Sequence, residues 1–126
     1  MASPTDRVYS ESHEWHKQEG ASVTLGLTRF AVDALTDVTY VQMKPVGTKF
    51  KAGDAVGEVE SVKTTSDVYC FVDGEISEIN PAVVEDPSLL NSDPYGKGWL
   101  VKIRVSSPAG LAKLMDGAKY DAAHPG

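Results

Sequence analysis

Apolar residues in this chain come in short alternating runs, broken repeatedly by glycine, proline or an Asp-type turn. That punctuation constrains the fold more than any other feature. From Ser22 to Leu27 the apolar positions Val23, Leu25 and Leu27 share one face, the period-two pattern of a half-buried strand. Val38 to Met43 alternates again and stops at Pro45-Val46-Gly47. After a turn at Gly53-Asp54, Ala55 to Val62 and then Val68 to Val72 read as strands. Asp73-Gly74 reads as a tight turn, with Glu75 to Ile79 as its partner strand. In the last strand, Trp99, Val101, Ile103 and Val105 alternate with Leu100, Lys102 and Arg104.

Helices are few. Thr28 is placed to cap a short one whose apolar stripe is Phe30, Ala31, Ala34 and Leu35. Asp86-Pro87 opens a turn over Leu89 and Leu90, and Ser107-Pro108 caps a C-terminal helix carrying Leu111, Leu114 and Met115, stopped by Gly117. The expectation is a mostly β fold of seven or eight short strands, a small sandwich or barrel with short helices at its edges and end. At 126 residues it suits one domain, 1–126, with an N-terminal arm over about 1–8 and a loose C-terminal tail over about 119–126.

Composition narrows the function. A net charge of −6 argues against nucleic acid, because binding phosphates needs a basic face. No apolar run approaches the roughly 20 residues that cross a bilayer, so no membrane is expected. MASPTDR holds no hydrophobic stretch for secretion, which points to a soluble intracellular protein. The single Cys70 excludes an internal disulfide and lies in an apolar strand, where cysteine is a small packing residue. His13 and His16 read as a solvated strand edge and His124 as inert in the tail, so no metal site is expected. No Gly-x-Ser-x-Gly elbow or phosphate-binding loop occurs. With no acid–base constellation, no catalytic residue is assigned and the chain is not expected to be an enzyme.

One segment stands apart. In GEVESVKTTSDVY, residues 57–69, two strand-like runs flank a polar centre with one lysine, which places Lys63 at a hairpin tip. Such a lysine is ordinarily a solubilising charge. Here Glu58, Glu60 and Asp67 surround it, so an acylating enzyme would meet one distinct amine among carboxylates. Acylation would remove its charge and lengthen the arm.

These residues resemble the H proteins of the glycine cleavage system, which are lipoyl carriers. The resemblance runs from about Tyr9 to Ile103 through YSESHEW at 9–15, GLTRFAVDALTD at 26–37, VESVKTTSDVY at 59–69, GEISEIN at 74–80 and LLNSDPYGKGWLVKI at 89–103. It implies a lipoyl-domain-like barrel-sandwich hybrid, with (R)-lipoate attached covalently at Lys63. The implied role is to shuttle the aminomethyl group of glycine from the pyridoxal-phosphate glycine decarboxylase (P protein) to the folate-dependent aminomethyltransferase (T protein). Dihydrolipoamide dehydrogenase (L protein) then reoxidises the arm, and lipoate-attaching enzymes load it. The resemblance further implies an arm cleft at Ser12, Glu14 and Asp67, a monomer, and residence in the bacterial cytoplasm or, for a eukaryotic chain, the mitochondrial matrix.

The chain departs from the family pattern twice. Leu35-Thr36-Asp37 stands where Leu-Gly-Asp is usual, and Cys70-Phe71 where Ala-Pro is usual. Competing readings are a 2-oxoacid dehydrogenase lipoyl domain and a biotin carrier, which would carry Asp-Lys-Ala and Met-Lys-Met at the tip. An H-like relay or scaffold that donates lipoate to 2-oxoacid dehydrogenase complexes would use the same hairpin.

Overall fold

The computed structural model describes residues 3–107 and 109–124. It is built from two antiparallel sheets. Nine strands run through the described residues: β1 (Val8–Tyr9), β2 (Glu14–Glu19), β3 (Ser22–Leu27), β4 (Val38–Met43), β5 (Lys49–Phe50), β6 (Asp54–Ser61), β7 (Thr65–Cys70), β8 (Asp73–Ile79) and β9 (Val101–Ser107). The larger sheet has the order β1-β2-β3-β9-β8-β5 and the smaller β4-β6-β7. One apolar core joins them, with Val23, Leu25, Ile76 and Ile103 from the larger sheet meeting Val41, Val56, Val59 and Val68 from the smaller. The fold is thus mostly β, a sandwich of antiparallel sheets rather than a closed barrel.

Gly26 shows why residue choice matters in β3. A Cβ there would lie 2.5 Å from the indole of Trp15. The missing side chain lets that ring lie over the strand, with its Nε1 donating to the Pro94 carbonyl at 3.0 Å. Trp15, Tyr9 and Tyr120 form a second, aromatic cluster flanked by Tyr95, Trp99 and Met115.

Helix α1 (Arg29–Leu35) starts at Thr28, whose Oγ1 accepts from the Ala31 amide. Its buried stripe is Val32 and Leu35, while Phe30 and Ala34 face solvent. Of the stripe read from the sequence, Ala31 and Leu35 pack on the core, and Val32 takes the place expected for Phe30 and Ala34. Helix α2 (Pro81–Glu85) begins at Asn80, which accepts from Ala82 and has proline in its first turn, a capping signal overlooked in the sequence. Helix α3 (Ser88–Ser92) follows the Asp86-Pro87 turn.

Three further expectations are corrected. Asp73-Gly74 is no turn: both residues are paired in β8, whose partners are β9 and β5 rather than β7. Gly74 is there because a Cβ would collide with the Arg104 carbonyl of β9. The described part of the expected N-terminal arm is docked: the Ser3 amide donates to Asp121 at 2.9 Å, the Pro4 carbonyl accepts from the Tyr9 hydroxyl, and Arg7 donates to the Tyr95 carbonyl at 3.0 Å. The tail is not loose either. A 3-10 turn over Ala109–Lys113 leads to α4 (Gly117–Ala123), which buries Tyr120, so Gly117 starts a helix instead of stopping one. The Ser107-Pro108 cap includes Pro108, which lies outside the described residues.

Candidate functional site

Strands β6 and β7 form the hairpin expected around Lys63, in register from Asp54↔Cys70 to Glu60↔Thr65. Its stem is apolar inward: Val56, Val59, Val68 and Cys70 are fully buried. Burial of Cys70 pushes its thiol up to about 12 and places its side chain in the core as a packing group.

The tip is built by Ser61. Its amide donates to the Thr64 carbonyl at 2.8 Å, and its hydroxyl oxygen accepts from the Lys63 and Thr64 amides at 3.2 and 3.1 Å. A small hydroxyl beside the lysine therefore closes the turn and satisfies two otherwise open donors. Outside the hairpin, the Val62 amide donates to the Asp37 carbonyl at 3.1 Å, bracing the tip against the loop after α1. Val62 is 70% exposed and so is no part of the stem. Lys63 is exposed, and its amine enters no salt bridge among the described residues. This geometry suits covalent attachment of a long arm: the amine is accessible and the backbone beneath it is fixed.

Ser12, Glu14 and Asp67 are brought only partly together. Glu14 is 1% exposed, and its carboxylate accepts from the hydroxyls of Ser10 and Ser12 and from the Tyr69 amide, the last at 3.2 Å. Burial pushes its pKa up, opposed by the Ser10, Ser12 and Tyr69 donors. No cation partners it among the described residues. Asp67 is exposed and connects to this group only through Tyr69, whose hydroxyl donates to it at 3.4 Å.

The histidines are not a solvated edge. His16 is 1% exposed, its Nε2 accepts from the Phe71 amide at 3.1 Å, and burial lowers its pKa to about 3. Its burial was hidden in the sequence because a polar residue follows Trp15 in a strand buried on both faces. His13, at φ +74°, has Nδ1 2.7 Å from the Tyr120 hydroxyl. The His124 ring lies 4.6 Å from that of His13, part of the same packed group. No cluster of three metal-ligating side chains occurs among the described residues, and none of their helices is long and apolar enough to cross a membrane.

A two-sheet β scaffold that displays one lysine on the tip of a braced hairpin has the build of a carrier domain. The glycine cleavage H-protein family model matches residues 7–124. The chain is 50% identical to glycine cleavage system H protein 1 of Caldanaerobacter subterraneus subsp. tengcongensis over 115 residues, 91% of each protein. It is 46% identical to a glycine cleavage system H protein of Thermus thermophilus, covering 95% of this chain and 94% of that one. The crystal structure of an H protein from Mycobacterium marinum superposes with a TM-score of 0.87 at 38% identity, covering 96% of this chain and 98% of that one. The chain belongs to the glycine cleavage H-protein family, and its function lies in the glycine cleavage system.

Proposed function

We propose that this chain, as a single lipoyl-carrier domain, bears lipoate in amide linkage on Lys63. In this reading it ferries the aminomethyl group of glycine from glycine decarboxylase to aminomethyltransferase and is reoxidised by dihydrolipoamide dehydrogenase. The observation that carries the reading is the lone accessible amine on the Ser61-closed tip. When attached to Lys63, lipoate would supply a disulfide whose S–S bond opens, one sulfur taking the aminomethyl group and the other becoming a thiol, and the arm would stay on the lysine as a dithiol once that group has passed on. Everything else falls to the chain. Lys63 becomes neutral on acylation, the stem holds it at a fixed height, and the surrounding Glu58, Glu60 and Asp67 leave it the distinct nucleophile. Bacterial relatives support a cytoplasmic setting.

Ser12, Glu14 and Asp67 are proposed to receive the loaded arm. Glu14 supports this most directly, as a buried carboxylate without a cation partner among the described residues. A protonated amine brought beside it would form a charge-assisted bond in a site poor in water. Removing Glu14 or Asp67 is then expected to speed ammonia release from loaded protein while leaving lipoylation intact. If both variants release ammonia at the wild-type rate, the cleft role is lost.

The main test combines intact-mass measurement with a glycine exchange assay. Lipoylation should map to the peptide containing Lys63, and Lys63→Arg should melt like the wild type while supporting no exchange. Modification at a different lysine would reject the carrier reading. Reduction of the arm by a 2-oxoacid system and not by glycine would favour the relay.

A further inference from the structure

The lysine hairpin ends in an open edge, because β7 is the last strand of the smaller sheet. The amides of Tyr69, in β7, and of Phe71, just past its end, donate to side chains of β2 in the other sheet. No backbone ladder joins β2 to β7. Two side chains two residues apart on β2 take the place of that ladder: Glu14 Oε2 accepts from Tyr69 at 3.2 Å, and His16 Nε2 accepts from Phe71 at 3.1 Å.

We propose that His16 is a positioning residue for the Lys63 hairpin, fixing the base of β7 by accepting the Phe71 amide. The proposal rests on the reading of Lys63 as the carrier lysine. Glu14 divides its carboxylate among Ser10, Ser12 and Tyr69, whereas His16 serves Phe71 alone. Acceptance at Nε2 places the ring proton on Nδ1, which is buried and makes no hydrogen bond of good geometry among the described residues, only an approach to the Glu14 backbone. Burying that donor is costly. A leucine would fill the same space without that cost, but it would leave the Phe71 amide unmet. A poorly paired, buried Nδ1 beside a well-formed bond at Nε2 marks a side chain held for its one acceptor. Loss of that acceptor frees the base of a two-stranded lever. Any tilt at the base is carried toward Lys63 along the six residues of β7, about 20 Å at roughly 3.3 Å per residue.

The experiment starts on the unaltered protein. A scalar coupling between the Phe71 amide nitrogen and His16 Nε2 should be observable across the hydrogen bond by nitrogen-15 NMR. Its absence overturns the proposal. In His16→Leu the Phe71 amide should exchange roughly tenfold faster than in the wild type, measured against core amides of Val23 and Ile103. His16→Gln, which keeps an acceptor, should restore much of that protection. Equal exchange in all three proteins, or equal loss in both variants, overturns the assignment. Should His16→Leu unfold, the Phe71→Pro background decides, since removing the donor should leave the histidine replacement without further effect on hairpin exchange.

Function supplies the second readout. Fully lipoylated His16→Leu should need a severalfold higher concentration for half-maximal glycine exchange while reaching the wild-type maximum. An unchanged half-saturating concentration sinks the positioning role alone. A wild-type carrier that supports no exchange, with the coupling present, sinks the carrier reading of Lys63 and the positioning role with it.

Discussion

The two ends of the lysine hairpin are held by different forces. At the base, Val59, Val68 and Cys70 are sealed in the core, and two β2 side chains close the outer edge. At the tip, exposed Val62, Lys63 and Thr64 depend on the Ser61 hydroxyl and one backbone bond to Asp37. Burial stabilises the first region and local hydrogen bonding orders the second. The difference teaches how a small protein offers one side chain to several enzymes. Stability is concentrated where nothing needs access, and the exposed tip is ordered by bonds that contribute little to global stability.

Truncating the stem is the largest expected perturbation. Val59→Ala or Val68→Ala removes two buried methyl groups and leaves a cavity, a loss of about 2–3 kcal/mol. Val62→Ala, at a site already open to water, should change stability by less than about 0.5 kcal/mol. Urea unfolding of the three variants checks the contrast. A Val62→Ala loss as large as that of Val59→Ala would erase the distinction between the two ends.

Acid should weaken the base before it disturbs the tip. His16 titrates near 3 in the folded protein because burial disfavours its cation, against an ordinary value of 6.5. Its contribution is therefore fully present above about pH 6.5 and is lost as pH falls below that value. By pH 5 the loss is on the order of 2 kcal/mol. His13 is lowered as well, by burial first and then by His124, and acts in the same sense. Glu14, the nearest carboxyl on the same face of β2, is raised by burial. That favours the folded state on protonation and opposes the histidines only as pH nears the carboxylate range. Unfolding measured at pH 7, 6 and 5 should thus show falling stability, with a flatter slope in His16→Leu. Identical slopes would mean that His16 is not held neutral by the fold.

Much of this arrangement was legible in the sequence, and what was missed has physical causes. Period-two alternation located β3, β4, β6 and β9 because each packs one or both faces in a single core. The hairpin register followed from the polar centre around Lys63. Asp73-Gly74 misled because the glycine answers a close approach by the Arg104 carbonyl rather than a need for positive φ. Local sequence does not distinguish those two reasons for a glycine. His16 was taken for a solvated strand edge because its acceptor role depends on Phe71, 55 residues away. The tail was read as loose because its anchor is Tyr120 stacked on Tyr9, a contact between the two ends of the chain. Ser12 donates to Glu14, while among the described residues Asp67 is linked to them through Tyr69, a distribution that local sequence does not show.

The smallest effect concerns the brace beneath the tip, and it should be a gain. Thr36 stands where glycine is usual in the family and adopts φ +64°, ψ −135°, closing α1 with amide bonds to the Val32 and Asp33 carbonyls. A β-branched residue in that region is strained by about 1–3 kcal/mol. Glycine would relieve the strain but would also give the unfolded chain more freedom, which offsets roughly 0.5–1 kcal/mol. The net expectation for Thr36→Gly is a stabilisation of about 1 kcal/mol, and a melting temperature higher by roughly 3–6 °C. The conformation itself should persist, because Asn91 clamps it from outside: Nδ2 donates to the Thr36 carbonyl at 2.6 Å and Oδ1 accepts from the Val38 amide at 3.0 Å. With that clamp in place, the Asp37 carbonyl stays aimed at the Val62 amide. Calorimetry of Thr36→Gly, paired with exchange of the Val62 amide, reads both effects at once. A higher melting temperature with unchanged Val62 protection would place the strain in α1 alone. A lower melting temperature would show that the Thr36 hydroxyl bond to the Leu35 carbonyl at 2.5 Å outweighs the backbone cost.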